Sequence, residues 1–546
     1  MAENKLYYGD NLDVLRRYVK GESVDLVYLD PPFNSRQDYN VLFAERDGTR
    51  SSSQIKAFED TWEWNMDAEA AYQEIVEAGG RVSDVMRAFR TFLGHSDMMA
   101  YLAMMAPRLV ELRRVLKVTG SIYLHCDPTA SHYLKILMDA IFGPQFFANE
   151  IVWKRSSAHS DAKQGAKHFG RVTDTILFFS RSEARTWNPL YTPYEQHYID
   201  RDYRRVDENG RRYRISDLQG PGGAAKGNPY YEFLGVTRYW RYSKEKMIEL
   251  HRQGRIVQTR PGAIPAYKRY LDEMPGVPVQ NLWADIPVIN NRSQEYLPYP
   301  TQKPEGLLER IINASSNEGD LVLDPFCGCG TAVVVAQALK RRWIGIDITH
   351  LAINLIKKRL NDRFKGEIEG TYDVIGEPTT LEEADALAKE NPMQFQWWSL
   401  GLVGARPFEQ KKGSDRGIDG RLYFHDDKSG KTKQIILSVK AGQVHASYVR
   451  DLRGVLDREK AEIGVLITME KPTKPMLKEA AEAGFYSTEA WGKFPRIQIL
   501  TVAQLLEGKG ILYPRAAADA TFKRAPKAKR TAASNLSLPL DENEPF

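Results

Sequence analysis

Hydrophobic and polar positions divide this chain into blocks of different period. Val24-Asp25-Leu26-Val27-Tyr28-Leu29 is a nearly continuous apolar run, which predicts a buried strand. It stops at Asp30-Pro31-Pro32-Phe33, where two prolines lock φ and make a rigid exit. Leu321-Val322-Leu323 repeats the pattern and leads into Asp324-Pro325-Phe326-Cys327-Gly328-Cys329-Gly330-Thr331. A helical stretch from Ala332 to Leu339 and a second strand from Arg342 to Asp347 complete a βαβ unit. Gly120 to Asp127 reads as one more strand, and residues 36–100 as an insertion with a helix-like stretch from Ala68 to Ala78. After about residue 365 the character changes, and residues 366–389 read as a linker containing the helical run Leu381 to Ala388. Beyond it, a strand ending at Phe424, a turn from Asp426 to Gly430 and a strand from Gln434 to Lys440 predict a second α/β domain over 390–514. Residues 515–546 lack periodic hydrophobicity and read as a disordered tail, and no repeat of about twenty to fifty residues occurs.

Length agrees with this division, because 546 residues exceed one ordinary domain, and 42% hydrophobic content suffices for sizeable cores. Only three cysteines occur, two of them in the glycine-bearing turn, which excludes a disulfide framework and a four-cysteine zinc site. No apolar leader follows Met1, and no apolar stretch approaches the roughly eighteen residues of a membrane span. A soluble, reducing, cytoplasmic setting is expected, bacterial or archaeal and nucleoid-associated, with no membrane partner. The net charge of +5 is unevenly placed: residues 151–280 hold 23 Lys and Arg against 14 Asp and Glu. Aromatic residues alternate with cations there, as in Arg211-Arg212-Tyr213-Arg214 and Arg238-Tyr239-Trp240-Arg241-Tyr242. Such a stretch neutralises phosphates and packs on sugars or bases, so 151–280 is expected to contact double-stranded DNA. Gly220 to Gly227 reads as a flexible loop, and the insertion 36–100 as a cap on the site or a contact with the second subunit of a homodimer.

The candidate chemistry lies in the two strand ends. A carboxylate, two prolines and an aromatic ring at positions 30 to 33 can grip an exocyclic amino group on a flat heterocycle. Gly328 and Gly330 let the backbone pass close to a ligand, and Asp347 can accept both hydroxyls of a ribose. A dinucleotide fingerprint would carry a third glycine at position 333, where this chain has Val333. With Asp324 and Phe326, the loop suits S-adenosylmethionine, which has no pyrophosphate.

These motifs, in this order, resemble the β class of amino-group DNA methyltransferases over about residues 5 to 365. The resemblance implies a permuted, doubly wound Rossmann-like α/β sheet with a target-recognition insertion at 151–280, and a target base flipped out of the duplex. It implies that Asp10 meets the cofactor's adenine, that Thr301 and Lys303 meet its methionine end, and that Asp324, Phe326, Gly328, Gly330, Thr331 and Asp347 complete the cofactor site. Catalysis falls to Asp30, Pro31, Pro32 and Phe33. Aspartate at the motif's first position resembles the adenine enzymes, so N6 of adenine is the expected target. Asp30 and the Pro31 carbonyl would accept the two amino protons while Phe33 stacks on the base. His125 is expected to be a satisfied core histidine, since this transfer needs no histidine base.

In the second domain, paired strands bring Asp419 and Lys440 together, and a carboxylate holding Mg²⁺ beside a lysine is the minimum for phosphodiester hydrolysis. Gly413 to Gly420 and Ser438 to Lys440 resemble the Mrr-like branch of the PD-(D/E)xK restriction endonucleases. Ser438 stands where that family usually has glutamate or glutamine, and a hydroxyl is a poor ligand for a hard cation. Asp415 or Gln443 are candidate replacements. The expectation is therefore a methyltransferase carrying a Mg²⁺-dependent nuclease-like domain. The alternatives are a methyltransferase of adenine N6 or cytosine N4 whose second domain only binds DNA, and a non-catalytic DNA-binding protein.

Overall fold

This computed structural model describes residues 3–32, 39–40, 56–58, 64–156, 167, 169–290, 293, 295–297, 299, 302–408, 417–426, 432–488 and 490–514. Phe33, Thr301, Asp415 and the tail 515–546 lie outside the described residues. The chain divides into two compact units, Asn188–Gln280 and the remainder. Among the described residues no helix is long and apolar enough to cross a membrane.

The larger unit contains a nine-stranded sheet. Its strands in chain order are β1 (Asn4–Tyr8), β2 (Val24–Leu29), β3 (Leu116–Cys126), β4 (Phe147–Lys154), β5 (Thr173–Ser180), β6 (Leu282–Trp283), β7 (Leu321–Asp324), β8 (Arg342–Asp347) and β9 (Tyr372–Ile375). The spatial order is β6-β4-β5-β3-β2-β7-β8-β1-β9. From β3 to β9 every neighbouring pair is parallel, whereas β5 runs antiparallel to both β3 and β4. All six residues of β2 are buried, as the apolar run predicts for a central parallel strand. The fold is thus the permuted doubly wound α/β sheet expected. Val322 and Leu323 of β7 lie in register with Leu26 and Val27 of β2, which puts the two sequence motifs side by side.

One buried carboxylate fixes that adjacency. Asp25 accepts from Lys117 Nζ at 2.8 Å and from the Leu321 backbone N–H at 2.9 Å, so it ties β2 to both its neighbours. The helix Asp97–Val115 is buried on most of its surface and contributes Met99, Leu102, Met105, Leu109 and Leu112 to the core beneath β2 and β3. The helix Met66–Ala78 contains the stretch predicted at Ala68 to Ala78, with Asn65 accepting from the Ala68 N–H as its N-cap.

Two boundaries differ from expectation. The region read as starting at residue 151 begins inside the sheet, since Ile151, Trp153 and Ile176 to Phe179 are buried strand residues. The compact unit starts only at Asn188 and holds 16 Lys and Arg against 11 Asp and Glu. Its four-stranded antiparallel sheet orders Ile256–Val257, Ala266–Tyr270, Arg212–Asp217 and Arg205–Val206, beside a small core of Leu218, Phe233, Trp240, Met247, Leu250 and Ile256. Several of its arginines are spent internally: Arg211 pairs with Asp272 and Glu273 and lies 3.9 Å over the Tyr270 ring. The glycine stretch at 220–227, expected as a loop, carries a 3-10 turn at Gly223–Lys226 steadied by Asn228, whose amide donates to Pro221 O and Gly223 O.

The linker expected at 366–389 is also largely ordered structure. Tyr372–Ile375 is the edge strand β9, and Leu381–Glu390 is a helix with a Thr380/Glu383 capping box. Ala384 and Ala388 of that helix belong to the core of the C-terminal domain. There, β10 (Arg406–Pro407), β11 (Gly420–Phe424), β12 (Lys433–Lys440), β13 (Ile463–Thr468) and β14 (Ile497–Thr501) form a sheet in sequential order, antiparallel up to β12 and parallel after it.

Asp25→Ala removes an ion pair and the acceptor of a buried N–H. It is expected to cost about 2 kcal/mol or more in urea unfolding. A loss below about 0.5 kcal/mol would mean that the carboxylate does not hold these strands together.

Candidate functional site

Parallel strands place their carboxyl ends at one edge, and a crevice opens where neighbouring strands connect in opposite directions. Here β2 connects onward to β3 on one side, while β7 connects to β8 on the other. Asp30 follows β2, and Asp324 and Asp347 end β7 and β8. All three line one cavity of about 280 Å³, together with Asp10, Pro31, Pro32, Lys303, Phe326, Gly328 and Thr331. Every described residue predicted for the methyl-transfer site is therefore in its wall except Gly330.

Gly330 acts on the turn instead. Its φ is +75°, and an added Cβ would stand 2.7 Å from Ile356 Cγ1, so only glycine fits at the N-cap of the helix Thr331–Ala338. Gly328, at φ +48°, turns its N–H toward Asp347 Oδ2 at 2.9 Å. Asp347 Oδ1 accepts from the Thr349 N–H at 2.9 Å and the Thr349 hydroxyl at 2.8 Å. Burial raises the Asp347 carboxyl to about 6 against these hydrogen bonds. Burial likewise pushes Asp324 well above the usual carboxylate range, opposed by the Phe326 N–H and reinforced by the charges of Asp30 and Asp347. Lys303, itself buried, places Nζ 2.5 Å from Asp30 Oδ2.

Asp10 caps the helix Asn11–Tyr18 with Oδ1 and accepts from Arg108 Nη2 at 2.6 Å with Oδ2. Arg108 also donates to Asn11 Oδ1 at 2.6 Å, and Asn11 donates to Pro325 O at 2.8 Å. Both Arg108 and Asn11 line the cavity and escaped the sequence reading. The available signal was a cation at position 108 in the apolar helical run from Met98 to Leu109. Tyr299, a further lining residue, was also missed. Thr331, expected at the cofactor, gives its hydroxyl oxygen to Arg359 Nη1 at 3.1 Å, and Arg359 Nη2 in turn reaches Glu305 at 2.8 Å. Burial raises the pKa of both Cys327 and Cys329, which keeps them as thiols and outside nucleophilic chemistry.

His125 is wholly buried and satisfied on both nitrogens, Nδ1 lying 3.1 Å from Tyr28 Oη and Nε2 3.2 Å from Asp174 Oδ2. This agrees with the core histidine expected.

The cavity's donor set fits S-adenosylmethionine. It combines a carboxylate at the end of β8, backbone exposed at a glycine, apolar walls from Met104, Met105 and Phe326, and an excess of carboxylates suited to a sulfonium.

In the C-terminal domain, β11 and β12 bring Asp419 and Lys440 together, with Lys440 Nζ 3.8 Å from Asp419 Oδ2. The same oxygen accepts from the Ser438 hydroxyl at 3.1 Å and from the Val439 N–H at 2.7 Å. Gln443 lines a second cavity of about 340 Å³ with Lys440, His445 and Tyr448. Among the described residues no group of three or more His, Cys, Asp and Glu side chains is arranged to hold a metal ion. Asp415, the other candidate carboxylate, lies outside the described residues, so the described residues of the anticipated Mg²⁺ site supply one carboxylate, Asp419.

Comparison with known proteins agrees with this geometry. Residues 24–358 match the family model of N6/N4 DNA methylases. Residues 394–507 match the NACHT-associated inactive restriction endonuclease 1 family. The chain is 30% identical to the type II methyltransferase M.EcaI of Enterobacter cloacae over 365 residues, which is 65% of this chain and 69% of that one. It is 24% identical to the DNA adenine methyltransferase YhdJ of Escherichia coli K12 over 356 residues, covering 65% of this chain and 82% of YhdJ. It spans 51% of the StyLTI Mod subunit, a type III restriction-modification enzyme of Salmonella typhimurium, at 27% identity and with 62% of this chain covered. Among solved structures, a DNA modification methylase of Thermus thermophilus complexed with S-adenosyl-L-methionine aligns with 68% of this chain and all of its own, at 16% identity and a TM-score of 0.34. The architecture and site thus define an amino-group methyltransferase. The chain belongs to the N6/N4 DNA methylase family and is related to restriction-modification enzymes.

Proposed function

We propose that this protein is a site-specific DNA methyltransferase acting on N6 of adenine in double-stranded DNA, and that its C-terminal domain binds DNA without cutting it. The observation that carries the first part is the convergence of Asp30 with Asp324, Gly328 and Asp347 on one cavity. Aspartate at the head of the catalytic motif, and the similarity to most of YhdJ's length, favour adenine.

S-adenosylmethionine supplies, when bound, an electrophilic methyl on a sulfonium. Asp347 accepts the ribose hydroxyls, with Thr349 and the Gly328 N–H fixing its orientation. Asp10 and Arg108 form the wall on the adenine side. Lys303 holds one oxygen of Asp30, so that the other oxygen and the Pro31 carbonyl can accept the two amino protons of a flipped base. Those acceptors turn the nitrogen lone pair out of conjugation and toward the methyl, so rate comes from positioning without a covalent enzyme intermediate. Residues 188–280 form the target-recognition unit, where Arg238, Tyr230 and Tyr239 belong to one hairpin.

For the C-terminal domain, the supporting observation is the saturation of Asp419 Oδ2 by Ser438 and Val439. The match of residues 394–507 to a family of inactive restriction endonucleases points the same way. Lys440, Gln443 and His445 remain as a cationic and polar surface for phosphates.

Asp30→Ala is expected to reduce methyl transfer by about 10³-fold or more while DNA binding persists. Nucleoside analysis of the parent's product is expected to give N6-methyladenine, whereas N4-methylcytosine would overturn the base assignment. The full chain with Mg²⁺ is expected to leave plasmid DNA intact. Cleavage abolished by Asp419→Ala would instead establish a nuclease. Ribose hydroxyls donate to ionised Asp347, whose carboxyl lies at about 6, so affinity is full above that pH and weakens as pH falls through it. Calorimetric Kd for S-adenosylmethionine should rise toward about tenfold per pH unit on the acid side in the parent and flatten in Asp347→Asn. A flat parent profile would argue against Asp347 as the ribose acceptor.

A further inference from the structure

Four polar side chains form a line from the cavity to the surface. Tyr28, at the cavity wall and two residues before Asp30, places Oη 3.1 Å from His125 Nδ1. His125 Nε2 stands 3.2 Å from Asp174 Oδ2, and Asp174 Oδ1 stands 3.3 Å from Nε of the surface residue Arg155. Tyr28, His125 and Asp174 are 2%, 0% and 4% exposed on three adjacent strands, β2, β3 and β5. An acid and an imidazole buried this deeply are costly unless each hydrogen bond is made.

The polarity of the line follows from its charged end. Burial raises the Asp174 carboxyl, but the His125 hydrogen bond and the Lys303 and Arg155 charges help bring it below the usual range, so Asp174 is an anion that only accepts. A neutral His125 then donates from Nε2, which leaves Nδ1 as the acceptor of the Tyr28 O–H. Tyr28 also lines the cavity, and a phenol that donates to His125 keeps acceptor capacity on its oxygen. The charges facing Tyr28 from β2 and β7 are Asp30 and Asp324, both of which favour a proton on the phenol, and the edge of Trp153 closes the ring of His125 from the side.

We infer that Tyr28, His125 and Asp174 are a proton relay that removes the surplus proton from the newly methylated amino group. The inference rests on the methyl-transfer reading above. In the transfer, the amino nitrogen gives its lone pair to the new N–C bond, and the pair of the broken S–C bond stays on sulfur. The nitrogen then carries one proton too many. One of the two protons that Asp30 and the Pro31 carbonyl orient passes to Tyr28 Oη as the original Tyr28 proton moves to His125 Nδ1, and the resulting imidazolium is stabilised by Asp174. Tyr28 ends unchanged, and once the neutral product has left, His125 returns its proton through Tyr28 to water entering the cavity. Within the relay Tyr28 alone meets the reacting group, and His125 and Asp174 act through it as positioning residues.

Two readouts on the full-length protein test this, one of them independent of activity. Histidine nitrogen NMR of the free protein should show His125 protonated at Nε2 and bare at Nδ1, with Asp174→Asn disturbing that tautomer. Protonation at Nδ1 in the parent would overturn the relay. In single-turnover methylation of duplex DNA, Tyr28→Phe, which keeps the buried ring, should slow transfer about 10²-fold and lose the solvent deuterium isotope effect of the parent. Its affinities for S-adenosylmethionine and DNA should be unchanged. A Tyr28→Phe variant with the parent's rate and isotope effect would overturn the proposal while leaving methyl transfer intact. A parent inactive on every DNA tested would overturn the methyl-transfer reading itself, and the NMR result would still decide the polarity of the line.

Discussion

The site depends on the pairing of β2 with β7. These strands come from opposite ends of the methylase region, yet Leu26 lies beside Val322 and Val27 beside Leu323 in parallel register. Because their onward connections diverge, their carboxyl ends open a crevice that no loop has to be folded to create. Asp25 guards the other end of the same pair, at the cost of a buried charge matched by Lys117 and the Leu321 N–H. A slip of one residue in a parallel strand would turn Asp30 away and Asp25 off its donors together. The register that builds the site is thus the register that the clamp stabilises.

The cavity walls carry four carboxylates, Asp10, Asp30, Asp324 and Asp347, against two strong cations, Arg108 and Lys303. Arg108 is committed to Asp10, and Lys303 to Asp30. The remaining excess falls on Asp324 and Asp347, and these two are the groups whose carboxyls rise, through burial first and, at Asp324, the neighbouring charges after it. Burial thus makes the negative charge on these two carboxylates the costliest in the cavity, and a cation bound there would offset that cost.

The strands, the turn and their order were legible because buried parallel strands write themselves as continuous apolar runs, and because Asp30-Pro31-Pro32 and Asp324 to Thr331 are local in sequence. What escaped was contributed across the fold. Arg108 lies on a helix whose pattern predicts only core, and it reaches Asp10 over 98 positions. Thr331 lines the cavity as its place in the motif implies, but the donor its hydroxyl oxygen accepts from, Arg359, could not be read from the motif. The start of the compact unit Asn188–Gln280 was placed too early because charge counting averages over β4 and β5, whose interiors are apolar. The helix Leu381–Glu390 read as linker because a small alanine face, Ala384 and Ala388, carries its packing in place of large side chains.

Asp30 and Asp419 show how the acceptor capacity of the same group depends on its neighbours. Each follows or precedes a central strand, and each has a lysine beside it. At Asp30 the lysine engages one oxygen, and the adjoining Pro31 has no N–H to offer, so the carboxylate keeps acceptor capacity directed at the cavity. At Asp419 the partner strand offers the Val439 N–H and the Ser438 hydroxyl to the oxygen that already faces Lys440. A glutamate at position 438 would have added charge and drawn a cation, whereas serine adds a donor and removes the need for one. Two residues in sequence, a proline after one aspartate and a serine opposite the other, account for an open acceptor in the first domain and a satisfied carboxylate in the second.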